Sequence, residues 1–426
     1  MAGIISGVIA PATLMLGGVF FTVRLRGFAL LHPLRFLRTL KDEGGGFSSL
    51  NLALAGTLGV GNIVGVVNAL RLGGAGAVFW MWVCAILASF LKYAEAYFSV
   101  IFRTEKGGEI HGGAYYYIRK AFSGKIGRLL STIFCIGFFG NTLATGCAMQ
   151  ASAAIDGITT VLPLPKLFLS ASLTLAVVWA VIFGMKRISR LTNTLVPIMT
   201  AVYLTLSLTV IFMNIKSLPE VFMSIWKGAF STRGAIFGTG SFCFTEAMRC
   251  GVMRGLLSNE AGCGSSATAH AREEKTTPHR QGCMGIAEVG ADTLIMCTVT
   301  ALAVMSTGAD PAAYANDVLC AVGSYALRGG KVFAVISAVC IATFGYASLI
   351  CFAGYGGECL HFLLGNGKIK KAASAAFLTL YFITTLVSPY LNMDTVLLFA
   401  DISMSIMAFI NVPSLIRLSA RMPLSK

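Results

Sequence analysis

The segment Ala55–Val66 reads AGTLGVGNIVGV and carries four glycines, at positions 56, 59, 61 and 65, within an apolar stretch. Each glycine weakens a helix by about 1 kcal/mol relative to alanine, so this density predicts that the backbone unwinds here. Unwound backbone is tolerated at membrane depth only where it is buried in protein or lines a cavity, because lipid cannot satisfy its amides and carbonyls. The segment therefore predicts a broken membrane helix beside a binding site.

The composition places this break in a membrane protein. Of 426 residues, 56% are hydrophobic and 12% are charged, and the mean hydropathy is +0.77. Soluble domains carry about 25% charged residues, so a soluble fold is excluded. The net charge of +15 could suggest nucleic acid, but in a membrane protein a basic excess more often reflects orientation. The twelve cysteines form no Cys-x-x-Cys pattern, and we expect free thiols that serve as small apolar residues.

Eleven apolar stretches reach the length of about 18 residues that a bilayer demands. They cover approximately residues 3–24, 47–71, 76–102, 128–154, 167–185, 191–214, 234–257, 282–306, 330–362, 373–390 and 393–416. With the N-terminus outside, most Lys and Arg residues fall in the inner loops, as the positive-inside rule requires. We expect an all-α, multi-pass protein of the cell membrane with a cytoplasmic C-terminus, surrounded by lipid and working as a monomer.

A second glycine-rich interruption, GAIFGTGS at residues 234–241, opens the seventh span, five spans after the first break. Two five-helix units of opposite orientation, each beginning with a broken helix, are the inverted-repeat plan of secondary transporters. We therefore expect one transmembrane domain over 1–426, with an extra N-terminal helix and basic loop (1–40) and repeats at 44–214 and 234–418. Close helix–helix packing through small residues is the alternative explanation for each break.

The residues around the first break suit a cation and a carboxylate together. Asn62 follows Gly59 and Gly61. Carbonyl and amide oxygens are the ligands that hard cations prefer, and free amides at the start of a half-helix bind carboxylates. A dinucleotide site is a poor alternative, because a third glycine at the required spacing and a strand–turn–helix unit are both missing.

Other polar residues lie near the two breaks or on neighbouring spans. They are Thr57, Gly238, Thr239, Gly240 and Ser241 at the breaks, Gln150 on the fourth span, and Thr343 and Ser348 on the ninth. We take these as candidate ligands, although hydrogen bonds between neighbouring helices are the commoner role for such side chains.

Ionisable groups inside spans are costly and by default functional. Glu246 follows the second break and could pair with Arg249, bind a substrate amine or exchange a proton. The remaining ionisable residues are Lys92 and Glu95, which form a plausible internal pair, Glu288 and Asp292, which share a helix face, and Asp401. An intramembrane enzyme would need a catalytic pair, and the one-turn spacing of Glu288 and Asp292 is more typical of an anchor between helices.

The segment SNEAGCGSS at 258–266 follows the seventh span. It suits either an inner gate or a structured turn that anchors helix ends. Its serines do not indicate a hydrolase, because a Gly-x-Ser-x-Gly elbow is absent from the sequence.

Five segments together resemble the alanine or glycine:cation symporter family, within the amino acid–polyamine–organocation transporters. They are residues 55–67 (AGTLGVGNIVGVV), 79–104 (FWMWVCAILASFLKYAEAYFSVIFRT), 112–119 (GGAYYYIR), 249–272 (RCGVMRGLLSNEAGCGSSATAHAR) and 290–303 (GADTLIMCTVTALA). The resemblance covers about residues 40–420. It implies a leucine-transporter-type core of two inverted five-helix repeats with one additional N-terminal helix, and sodium-driven uptake of a small neutral amino acid.

The resemblance also implies roles for individual residues. Gly59, Gly61 and Asn62 match the unwound centre of the first core helix, and residues 238–241 match that of the sixth. Gln150 matches a polar residue of the third core helix. Sodium ligands would be backbone oxygens of Ala55 and Leu58, with Asn62 and hydroxyls between Thr343 and Ser348; no catalytic cofactor is implied.

Two departures from the family bear on the substrate. The family tends to have a tryptophan near the end of the ninth span, where this chain reads AGYGGE at 353–358. Its loss predicts an enlarged or reshaped pocket. Glu246 stands where a small apolar residue is usual, and predicts an altered preference for substrate charge or coupling ion. The functional expectation is a sodium-coupled symporter; the alternatives are a proton-coupled or exchange transporter of the same fold with a different or larger substrate, and a channel, which two breaks facing one site disfavour.

Overall fold

The computed structural model describes residues 10–41, 47–106, 108–230, 235–236, 244–365 and 367–422. Its helices are α1 (Ala10–Arg24), α2 (Phe28–Leu31), α3 (Pro33–Lys41), α4 (Phe47–Thr57), α5 (Val64–Gly73), α6 (Gly76–Ile101), α7 (Ala114–Ala121), α8 (Gly124–Leu143), α9 (Gln150–Val161), α10 (Lys166–Val181), α11 (Met185–Met213), α12 (Leu218–Ala229), α13 (Glu246–Asn259), α14 (Ala267–Ala271), α15 (Pro278–Val289), α16 (Thr298–Ser306), α17 (Asp317–Leu364), α18 (Lys368–Val387) and α19 (Met393–Leu418).

Two pairs of helices are each joined by a π-helical stretch into one continuous rod. Residues Ala144–Met149 join α8 to α9, and Gly290–Cys297 join α15 to α16. Such local widening of the helix is frequent at functional sites. The described strands form two short antiparallel ribbons, β1 (Thr104–Lys106) with β2 (Glu109–His111), and β3 (Ala235–Ile236) with β4 (Phe244–Thr245).

Within the described ranges, seven helical rods are long and apolar enough to cross a membrane, and the bent pair Ser48–Thr57 and Val60–Gly73 makes an eighth. The shorter apolar helices Pro11–Arg24 and Lys166–Val181 overlap the predicted spans 3–24 and 167–185. The prediction of an all-α, multi-pass membrane protein is therefore confirmed. The first half of the predicted span 234–257 lies largely outside the described residues, so the count of eleven spans stays a prediction.

One predicted boundary differs from the structure for a clear local reason. The span predicted at 330–362 is part of α17, which begins at Asp317. Gly330 lies at φ 60° and ψ −150°, so the chain changes direction there and a shorter helix precedes the long apolar one. Glycine is the residue that adopts this conformation without steric cost.

The packing of the helices positions the site. α6 lies against α1, α13 and α15, and α9 packs along α17. α17 also contacts α4 and α5, on either side of the predicted break. The break is thus enclosed by protein, as unwound backbone at membrane depth must be.

Candidate functional site

The chain breaks between α4 and α5, and we call residues 58–63 the break. Gly59 is extended, at φ −98° and ψ −162°, and a single 3₁₀ turn, Val60–Asn62, follows it. The axes of the two half-helices differ by 63°. Leu58, Val60 and Ile63 are each at most 1% exposed. The glycine-rich segment therefore forms a buried, unwound hinge rather than a continuous helix packed closely on a neighbour.

Two helices bind the backbone on either side of the break. On the α4 side, the Ser348 hydroxyl of α17 donates to the carbonyl oxygens of Ala55 (3.0 Å) and Gly56 (3.3 Å). On the α5 side, the Val60 N–H donates to Gln150 Oε1 of α9 (2.9 Å). Side chains from α9 and α17 thus meet the Val60 amide and the Ala55 and Gly56 carbonyls beside the break.

The side chains of Gln150 and Ser348 lie too close to the Gly59 backbone for any residue other than glycine. A Cβ at this position would lie 2.7 Å from Gln150 Oε1 and 2.7 Å from Ser348 Oγ. Separations below 3.0 Å force a neighbour to move. The break therefore has room for glycine alone, provided that Gln150 and Ser348 keep their contacts with the backbone.

Asn62 connects the break to the π-helical stretch between α15 and α16. Its Nδ2 donates to the carbonyl oxygen of Asp292 (2.9 Å) and to Asp292 Oδ1 (2.7 Å). Asp292 Oδ2 accepts from Ser258 Oγ (2.5 Å) and Thr293 Oγ1 (2.8 Å). Asn62 is 1% exposed, and its Oδ1 is without a hydrogen-bond partner among the described residues. A free amide oxygen beside a buried carboxylate is chemistry that suits a cation.

One cavity borders the break and α5, and another lies at the N-terminal end of α4. A cavity of about 40 Å³ borders the break and is lined by Val60, Gly61, Gly65 and Arg254, among others. A volume of about 40 Å³ has room for about one water molecule and is too small for an amino acid. The second cavity, about 480 Å³, lies at the N-terminal end of α4 and is lined by Ser48, Ser49, Leu52, Arg190, Arg272 and neighbours. We call it the α4 cavity.

A clamp of charged side chains stands beside the α4 cavity. Glu358 of α17 accepts hydrogen bonds from Arg272, and its Oε2 lies 3.0 Å from His111 Nδ1. The Tyr355 hydroxyl, one turn earlier on α17, donates to the Leu52 carbonyl of α4 (2.8 Å). These contacts tie α17 to the short segments around the cavity, and they were not anticipated from the sequence because the partners are far apart along the chain.

The remaining predicted residues have the following positions. The Thr57 hydroxyl donates to Ala53 O within α4, and the Thr343 hydroxyl donates to carbonyls of its own helix. Glu246 begins α13 and pairs with Arg249 (Nε to Oε2, 3.2 Å), and both side chains are about one-third exposed. Gly238, Thr239, Gly240 and Ser241 lie outside the described residues, so their assignment stays a prediction.

The segment 258–266 forms a buried turn. Glu260, Gly262 and Gly264 all have positive φ values, and the Asn259 side chain accepts from the Ala261 N–H. Asn411 of α19 donates to the Gly262 carbonyl (2.9 Å). Of the two roles open for this segment, the geometry favours a structured turn that anchors the end of α13.

The sequence is similar to those of known transport proteins. The model of the sodium:alanine symporter family matches residues 1–423. The chain is 33% identical over 390 residues to the sodium/alanine symporter AgcS of Methanococcus maripaludis, which covers 84% of this chain and 81% of that protein. It is 28% identical over 416 residues to the probable sodium/glutamine symporter GlnT of Bacillus subtilis, which covers 94% of this chain and 84% of that protein.

A solved structure extends the likeness to the fold. The substrate-bound, outward-open structure of a Na⁺-coupled sialic acid symporter matches with a TM-score of 0.58 at 10% identity, covering 100% of this chain and 99% of that one. At this identity the likeness concerns the fold alone. It supports a transporter fold of the leucine-transporter type, while the five-plus-five repeat stays a prediction.

Proposed function

Because the chain belongs to the sodium:alanine symporter family, we propose that it is a sodium-coupled symporter that imports a small neutral amino acid by alternating access. The observation that carries this proposal is the break, where unwound backbone is enclosed by α9 and α17. Backbone amides of an unwound segment suit a substrate carboxylate, and its carbonyl oxygens suit a sodium ion.

The sodium ion would bind where α4 meets α17. The Ala55 and Leu58 carbonyls supply backbone oxygens, and Ser348 Oγ already lies 3.0 Å from the Ala55 carbonyl oxygen. Sodium bridging these atoms would hold the end of α4 against α17. Asn62, whose Oδ1 is available, is a further ligand in this proposal, and the buried Asp292 beside it offsets positive charge. Thr343 stays a predicted ligand. Its hydroxyl donates to the Val339 carbonyl of the same helix, and not to α4.

The substrate would bind at the first break and at residues 238–241. Gln150 orients the Val60 N–H, and Gly61 borders the 40 Å³ cavity. Widening of this cavity by movement of α4 or α5 would admit the amino acid. The α4 cavity would then be the route to the cytoplasm, with the N-terminus of the chain outside the cell.

Uptake into proteoliposomes tests the proposal. Radiolabelled alanine, glycine and glutamine are offered with an inward sodium gradient, or with choline replacing sodium. We expect uptake that saturates, requires sodium and falls strongly in Asn62→Ala. Ser337→Ala, whose hydroxyl bonds within α17, serves as the control for membrane insertion and amount. Equal uptake in choline and in sodium would contradict the proposed sodium coupling. Normal sodium-dependent uptake by Asn62→Ala would contradict the assignment of Asn62 as a ligand.

A further inference from the structure

A buried group of ionisable side chains lies between α6, α14 and α15. It consists of Lys92 and Glu95 of α6, His270 of α14 and Glu288 of α15, each 0% exposed. Lys92 Nζ lies 3.4 Å from Glu288 Oε1 and 4.0 Å from Glu95 Oε2. We call these four residues the charge cluster. Neither sodium binding nor amino acid binding at the break makes use of them.

The charges of the cluster do not balance. Two carboxylates face one ammonium group, and Glu260, which is 3% exposed, adds a third carboxylate. The other titratable groups that face the cluster from neighbouring elements are Cys263, Asp292, Tyr117 and Tyr355. None of these supplies positive charge. An unpaired buried carboxylate costs several kcal/mol, and such a group takes up a proton instead.

The hydrogen bonds identify the carboxylate that is least compensated. Glu288 Oε2 accepts from His270 Nε2 (2.7 Å), and Glu288 Oε1, which has no hydrogen-bond partner among the described residues, lies 3.4 Å from Lys92 Nζ. The Glu288 anion is therefore stabilised by His270 and by the ammonium charge. Lys92 Nζ donates a hydrogen bond to the Asn259 carbonyl (2.9 Å). Glu95 Oε1 accepts from Asn411 (2.6 Å), but Glu95 Oε2 is without a hydrogen-bond partner in the part of the chain that the structure describes. Glu260 accepts from Ser265. Glu95 lies farther from Lys92 Nζ than Glu288 does and has no histidine donor within the described ranges, and it is therefore the site for a proton.

A chain of side chains links the cluster to the α4 cavity. Gln281 Nε2 lies 2.7 Å from His270 Nδ1 and 2.7 Å from Ser49 Oγ. Ser49 belongs to α4 and lines the α4 cavity. Because Gln281 donates to Nδ1, the His270 proton is on Nε2, which donates to Glu288. Gln281 thus stands between His270 and the cavity, and α4 holds it there.

Movement of α4 would open this chain. When Ser49 leaves Gln281, the Gln281 side chain is free to turn away from His270, and water in the α4 cavity then reaches His270 Nδ1. A hydronium ion then gives a proton to Nδ1, and the Nε2 proton passes to Glu288 Oε2, which leaves a neutral imidazole. Glu288 returns a proton to Lys92 as Lys92 gives one to Glu95. The net change is one proton gained by Glu95 and transfer of the His270 proton from Nε2 to Nδ1. Gln281 Nε2 can donate to Nδ1 again only after the imidazole proton has returned to Nε2.

From this arrangement we propose that the charge cluster is a proton-binding site, loaded from the α4 cavity through His270, and that its occupancy is linked to the position of α4. The proposal goes beyond sodium-coupled symport, because it adds a second ion that binds away from the break.

Infrared difference spectroscopy of the purified full-length protein tests proton binding directly, without sodium or amino acid. Spectra are compared between acidic and neutral pH. We expect the C=O band of a buried neutral carboxylic acid in the wild type and its loss in Glu95→Gln. Asp317→Asn, which removes a carboxylate paired with Arg71 elsewhere, should keep the band. If the wild type and Glu95→Gln give the same spectrum, the proposal is wrong.

A second variant covers the case in which Glu95→Gln does not fold. His270→Gln keeps a polar side chain but cannot carry a proton, so we expect the same carboxylic acid band to appear more slowly after a pH jump. An unchanged rate would remove His270 from the path. These spectra need no transport, so failure of sodium-dependent uptake would overturn the proposed function while leaving this inference standing.

Discussion

Replacement of Gly59 by alanine tests whether the break works through close contact with α9 and α17. The backbone at Gly59 is extended, a conformation open to any L-residue, so alanine causes no backbone strain. The added Cβ would instead lie 2.7 Å from Gln150 Oε1, 2.7 Å from Ser348 Oγ and 2.8 Å from Gln150 Nε2. Any effect of the substitution therefore comes from these two side chains.

The size of the effect follows from what must move. Overpacking of a tight site costs about 1–3 kcal/mol. If Gln150 retreats, the buried Val60 N–H loses its acceptor, which costs about 1–3 kcal/mol; if Ser348 retreats, the Ala55 carbonyl loses its donor. Since every 1.4 kcal/mol is about tenfold in an equilibrium constant, we expect the sodium concentration for half-maximal uptake to rise about tenfold or more in Gly59→Ala.

The assay is sodium titration of amino acid uptake in proteoliposomes, with Gly357→Ala as the matched control. Gly357 lies within α17, and a Cβ there would meet no atom within 4 Å. We expect the control to keep wild-type sodium dependence and to unfold at the same or a slightly higher temperature. If Gly59→Ala titrates with sodium as the wild type does, the contacts of Gln150 and Ser348 with the break are not part of cation binding.

Three other substitutions follow from the same contacts. Ser348→Ala removes the hydroxyl that meets the Ala55 carbonyl, so the sodium requirement should rise while Ser348→Thr retains most of the wild-type affinity; equal affinities in sodium titrations would refute the role of this hydroxyl. Tyr355→Phe removes the hydrogen bond to the Leu52 carbonyl, worth about 1 kcal/mol, and should lower the thermal unfolding midpoint measured in detergent. An unchanged midpoint would show that this hydrogen bond does not stabilise the fold. Glu358→Gln weakens the clamp with Arg272 and His111. A cysteine introduced by Leu52→Cys in the α4 cavity should therefore react faster with a thiol reagent when Glu358→Gln is also present than when Glu358 is retained. Equal labelling rates would show that the clamp does not close the α4 cavity.

The sequence was most informative where composition alone determines structure. Glycine density predicted the break, because each glycine weakens the helix independently of what surrounds it. The length of the apolar stretches predicted the membrane helices, because the thickness of the bilayer sets the length of a span whatever the helix packs against. Shorter amphipathic helices such as α12 and the first part of α17 fall below the length of a membrane span, and a hydropathy pattern does not separate them from loops.

The contacts that build the site depend on the fold, and sequence reasoning reached them only in part. Gln150 and Ser348 were candidates, but Asp292 was grouped with Glu288 by its spacing, whereas its carboxylate meets Asn62, 230 positions earlier. Thr343 and Ser348 were placed together, yet five residues correspond to about 140° of helical rotation, so their hydroxyls lie on different faces of α17. Spacing along one helix says little about which neighbour each face meets.

One half-helix connects the two ion sites. The C-terminal end of α4 carries the Ala55 carbonyl that meets Ser348, and its N-terminal turn carries Ser49, which holds Gln281 beside His270. A helix of eleven residues spans about 16 Å as a rigid rod, so its two ends cannot move independently. A cation that fixes α4 against α17 would also keep Ser49 on Gln281 and the charge cluster closed to the α4 cavity. Release of the cation would free both ends together. On this argument sodium and a proton bind to alternative positions of the same helix, and an ion that stabilises one position must weaken the binding of the other.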